Sequence, residues 1–138
     1  MTVIVAVEAD DGAVVVGCDS SVVSGDEREV LDAPKWWTSR GVLVAYAGDL
    51  RAALLVKTMH ARMRPPSIRR SCALDYVERF AMRVRKLLRD NRVPQGELSL
   101  LVAFSGCAWV VVGGTVVRSV HGYAAIGSGA QYALGSLA

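Results

Sequence analysis

The chain has 138 residues, enough for one domain and one hydrophobic core, and 52% of them are hydrophobic, which excludes a disordered chain. The formal net charge is only +3, and no apolar run reaches the ~18 residues that a membrane-spanning helix needs. No basic segment precedes the first apolar stretch, and Glu8, Asp10 and Asp11 interrupt it, so no signal peptide and a cytoplasmic location are expected.

Residues 3–7 are rich in β-branched side chains and read as a buried strand. Asp10-Asp11-Gly12 is a turn signal, and Ala13 to Cys18 is a second strand ending at Asp19. Ser20 to Asp32 is polar and reads as a loop or short irregular strands. Pro34 to Thr38 and Val42 to Ala47 form a strand pair around Ser39-Arg40-Gly41. Gly48-Asp49 closes the pair and opens a helix over 50–63, which Pro65-Pro66 stops. Ser67 caps a second helix, in which Ala73, Val77, Phe80, Val84 and Leu87 recur at helical spacing. Residues 98–104, 109–112, 116–120 and 123–126 are strands, and Gly127-Ser128-Gly129 leads into a final helix. Strand runs separated by a helical pair predict one domain over 1–138, of α+β class, with layered sheets and helices packed outside.

Basic residues crowd the span from Arg62 to Arg92, but no aromatic side chains interleave with them in a stacking pattern, and Asp75, Glu78 and Asp90 break the run. A solvated helix face or protein contact surface is therefore the reading, with a nucleic-acid-binding module as its rival. Cys18, Cys72 and Cys107 fit neither a zinc site nor a disulfide framework, and all three are expected as buried small hydrophobes. His60 falls on a charged helix face; neither it nor His121 has a ligand pattern nearby, so no metal or cofactor is expected. Trp36 and Trp37 must face opposite sides of one strand, one into the core.

The chemistry begins at Thr2. With Met1 removed, this residue carries a hydroxyl and a free α-amine together, a nucleophile with a base attached. Asp19 ends a hydrophobic strand, and Lys35 sits among apolar neighbours where its ammonium needs a counter-charge. Either the two make a salt bridge between neighbouring strands, or the lysine is held beside the threonine.

Five features occur in order from Thr2 to Ala138. They are a strand opening with Met1-Thr2, the strand end Gly17-Cys18-Asp19-Ser20, Lys35 after an irregular segment, Ala47-Gly48 opening a helix, and Gly127-Ser128-Gly129 followed by Tyr132-Ala133-Leu134-Gly135. Together they resemble proteasome β-type subunits and bacterial HslV, which are N-terminal nucleophile hydrolases. The resemblance implies a four-layer αββα sandwich and a threonine endopeptidase. Thr2 would be the nucleophile, its α-amine the base, Lys35 a depressor of that amine's pKa, and Asp19 the anchor of Lys35. Gly48 N–H would form the oxyanion hole, Ser128 would orient the amine, and Tyr46 would either line the pocket for the substrate side chain or belong to the core.

The partners implied are an unfolded polypeptide substrate, further copies in a homo-oligomeric ring and an ATP-dependent unfoldase. Relatives in this family continue beyond the last helix, so either a fragment or a C-terminally shortened member, with exposed sheet edges, is expected. An inactive structural ring subunit and a small-molecule amidase of the same chemistry are the alternatives.

Overall fold

Strand β1 (Ile4–Glu8) carries the chain from Thr2 into the centre of a three-stranded antiparallel sheet, between β2 (Val14–Cys18) and β10 (Tyr123–Ile126). The computed structural model describes residues 2–19, 21–24, 27–30, 34–66, 73–118 and 121–137. Ile4 stands opposite both Cys18 and Ile126. That register brings the starts of β1, the end of β2 and the end of β10 to one edge of the molecule. Two short strands, β3 (Ser21–Ser24) and β4 (Glu27–Val30), form a separate hairpin in the polar segment after Asp19.

The second sheet has five strands in sequence order: β5 (Trp36–Ser39), β6 (Val42–Gly48), β7 (Leu98–Phe104), β8 (Cys107–Val112) and β9 (Thr115–Val117). Its central strands are apolar on both faces because both faces are covered. Val42, Val44, Leu98, Leu100, Val102 and Phe104 pack under helices α1 (Leu50–Ala61) and α2 (Ala73–Asp90). On the opposite face, Ala45, Ala47, Leu101, Ala103 and Ala108 meet Ile4, Ala6, Ala124 and Ile126 of the three-stranded sheet. The small side chains in this inner layer let the two sheets approach closely. Helix α3 (Ala130–Leu137) packs on β10 and β1 and completes a four-layer αββα arrangement.

Helix α2 buries Ala73, Tyr76, Val77, Phe80, Ala81, Val84 and Leu88, a stripe at spacings of three and four. Leu87 is only partly buried beside that stripe. Arg79, Arg83, Arg85, Lys86 and Arg89 are exposed, as a solvated helix face requires. Among the described residues, no helix is long and apolar enough to cross a membrane.

Several expectations shift. Helix α1 ends at Ala61, with Arg62 as its C-cap, and β9 ends at Val117. Ser67 and Cys72 lie outside the described residues, while Cys18 and Cys107 are partly rather than fully buried. Trp37 is in the core and Trp36 is 41% exposed.

His60 is not on a charged face. It is 2% exposed, and its spacing from Val56 places it on the buried side of α1. Trp37 Nε1–H donates to His60 Nδ1 at 2.9 Å, and His60 Nε2 lies 3.0 Å from the Tyr76 hydroxyl. An accepting Nδ1 on a neutral ring leaves the proton on Nε2, which donates to the Tyr76 oxygen. Burial lowers the pKa of His60 and raises that of Tyr76.

Candidate active site

Four of the predicted site residues converge at the edge where β1 begins. Lys35 precedes β5 and is 3% exposed, so its ammonium has left water and requires compensation. The Lys35 backbone is fixed by its carbonyl, which accepts Tyr46 N–H at 3.0 Å. Lys35 Nζ lies 3.3 Å from Asp19 Oδ1 and donates to Thr2 Oγ1 at 3.1 Å. Both readings of the lysine are thus realised at once: it bridges to Asp19 and it touches the threonine.

Asp19 is held from two sides. Its Oδ1 accepts Val3 N–H at 3.2 Å, and its own N–H donates to the Val3 carbonyl at 3.2 Å. The pairing of β1 with β2 therefore sets the distance between the carboxylate and Thr2. Thr2 N donates to Ser128 Oγ at 3.1 Å, and the Thr2 carbonyl accepts Gly129 N–H at 3.2 Å. Gly127 makes this approach possible. It has φ +98°, and a Cβ there would run into the Thr2 carbonyl.

Gly48 ends β6 opposite Leu98 and has φ +116°. A Cβ there would collide with the Glu97 carbonyl, which accepts Asp49 N–H at 2.9 Å. Glycine is therefore required by the backbone itself, in addition to any approach of a substrate. Asp49 then caps α1, its Oδ1 accepting Ala52 N–H at 2.8 Å.

A cavity of about 320 Å³ opens beside the threonine. Ala47, Gly48, Gly96, Glu97 and Ser99 line one side of it. Thr2, Gly127 and Ser128 line the other. The nucleophile candidate and the oxyanion candidate thus share one cavity. Tyr46 does not line it. Its ring lies in the helix-side core, 7% exposed, with its centroid 6.2 Å from that of Trp37. Strand alternation is the reason: Tyr46 shares a face with Val42 and Val44, and Ala47 takes the other. Burial pushes the Tyr46 hydroxyl pKa up.

Sequence reasoning missed Gly96, Glu97 and Ser99 as pocket residues. They reach the site only through the pairing of β6 with β7, roughly fifty positions apart along the chain. Among the described residues, no cluster of His, Cys, Asp and Glu could hold a metal ion.

No known protein family profile matches the sequence. No curated protein matches it either. Solved structures do match. BPH from Thiobacillus denitrificans superposes with a TM-score of 0.81 at 21% identity, over 99% of this chain and 77% of that one. Eukaryotic HslV from Trypanosoma brucei gives 0.69 at 23% identity, covering 97% of this chain and 76% of that one. Anbu, the ancestral β-subunit from Yersinia bercovieri, gives 0.68 at 16% identity, covering 92% and 61%. The chain thus has the fold that these solved structures share, and it is shorter than they are.

Proposed function

We propose that this chain is a threonine peptidase subunit in which Thr2, freed by cleavage of the Met1–Thr2 bond, is the nucleophile. The observation that carries the reading is the contact of a buried, Asp19-paired Lys35 with Thr2 Oγ1, while Ser128 holds the Thr2 nitrogen. An ammonium that donates to Oγ1 stabilises the developing alkoxide and turns the hydroxyl proton away from itself. The free α-amine, with an ordinary pKa of about 8, lies on the same residue and accepts that proton. The positive charge of Lys35 favours the neutral, proton-accepting form of the amine.

The steps balance without an added reagent. Thr2 Oγ1 bonds to the scissile carbonyl carbon as its proton passes to the amine. Gly48 lines the cavity, and its N–H receives the oxyanion. The peptide C–N bond breaks, and the amine's proton goes to the leaving nitrogen. Water then hydrolyses the ester to Thr2 through the same amine. No metal or cofactor takes part.

The substrate is an unfolded polypeptide, and the working form is a homo-oligomer in the cytoplasm, fed by an ATP-dependent unfoldase. The helical assembly of the similar Anbu structure from Pseudomonas aeruginosa supports the homo-oligomer, and the similar BPH structure has been seen in complex with epoxomicin. The test is turnover of fluorogenic peptides. Thr2→Ala is expected to abolish it and Thr2→Ser to retain it. Equal turnover by the wild type and Thr2→Ala would remove the reading.

A further inference from the structure

The cavity beside Thr2 combines small walls with one exposed charge. Ala47, Gly48, Gly96 and Ser99 present almost no side-chain volume to the space beside the nucleophile. Glu97 is the one charged residue among the described residues that line it. Its backbone is fixed, because its carbonyl accepts Asp49 N–H at 2.9 Å and Leu98, 2% exposed, anchors the start of β7. Its side chain is exposed and makes no hydrogen bond or ion pair with any described residue. Asp49 adds a second carboxylate nearby, already engaged in capping α1. Lys35, which touches the threonine, is neutralised by Asp19 and buried behind it.

We infer that Glu97 is a specificity-determining residue that selects a lysine or arginine side chain of the substrate next to the bond Thr2 attacks. The inference rests on the proposed peptidase function. A long, unbranched side chain fits between small walls, and its cationic tip meets an unpaired carboxylate at the rim. A carboxylate on the substrate would meet like charge there, and an apolar side chain would leave the Glu97 carboxylate without a partner. The selection acts mainly on substrate binding, because the ion pair is present before and during bond breaking.

The test uses the full chain and a peptide series differing only at the residue before the scissile bond: arginine, glutamine, leucine or glutamate. The wild type is expected to prefer arginine over glutamine by about five-fold in kcat/KM, the ratio an accessible ion pair supports. The gain should lie in KM and shrink at 1 M salt. Glu97→Gln is expected to bring the ratio near one, and Glu97→Lys to invert it in favour of glutamate. A wild-type enzyme that cleaves these peptides without charge preference overturns the inference alone. So does a Glu97→Lys variant that keeps the arginine preference. No turnover of any peptide, with no covalent adduct on Thr2 after incubation with epoxomicin, overturns the peptidase reading and this inference with it.

Discussion

Lys35 Nζ stands between two oxygens, 3.1 Å from Thr2 Oγ1 and 3.3 Å from Asp19 Oδ1, in a position almost closed to solvent. The lysine is therefore a structural cation and, in the proposed function, a chemical one. Asp19 offsets the cost of burying it, and Thr2 receives what remains of its field.

Removal of either partner should consequently have different effects. Asp19→Ala leaves the buried ammonium uncompensated and is expected to lower stability by about 3 kcal/mol, read from urea unfolding midpoints. Lys35→Met keeps most of the side-chain volume and removes the charge. It is expected to cost less stability than Asp19→Ala and to reduce kcat by about 10²–10³-fold. Equal activity in the wild type and Lys35→Met would dismiss the chemical role.

Gly48 occupies a left-handed backbone conformation against the Glu97 carbonyl. Gly48→Ala is expected to destabilise the chain by about 1–3 kcal/mol and to move the end of β6 away from β7. Hydrogen exchange at Asp49, whose N–H bonds Glu97, should accelerate in the variant. Unchanged exchange there would show that the strand end accommodates a side chain.

His60 makes stability depend on pH. Its lowered pKa follows from burial among Trp37, Tyr76 and Phe80, with Arg79 placed over the Tyr76 ring. The neighbouring charges are thus cationic: Arg79, and Arg40, whose field also reaches Tyr76. Protonating Nδ1 would set a donor against the Trp37 N–H. In the unfolded chain the imidazole titrates at its ordinary 6.5; in the folded chain it does so lower. Between the two values the unfolded state binds more protons, so stability rises with pH. The contribution is complete above about pH 6.5 and is lost as pH falls toward the folded value. Melting temperature should fall from pH 7 to pH 5 in the wild type, and this slope should flatten in His60→Gln, at a lower overall stability. An equal slope in both would assign the acid sensitivity to other groups.

Much of this was legible in the sequence because it follows from strand ends. Thr2, Asp19 and Lys35 each sit where an apolar run meets a polar residue, and antiparallel pairing brings such ends together. Ser128 follows Gly127, whose turn is forced by the Thr2 carbonyl. For Tyr46, parity with Val42 and Val44 decides between pocket and core, since alternation puts all three on one face. His60 could also have been found: Ala53, Val56 and His60 recur at spacings of three and four, and its charged neighbours obscured a buried position. Glu97 could not. Its place beside Thr2 depends on the register of β6 with β7, a pairing that no local pattern encodes.

Covalent capture reads a free, activated threonine at position 2 directly. Protein lacking Met1 is incubated with epoxomicin, and intact-mass and peptide-level mass spectrometry follow. One inhibitor per chain is expected, attached to Thr2, with none on Thr2→Ala or on chains retaining Met1. A folded chain that begins at Thr2 and gains no mass would contradict it.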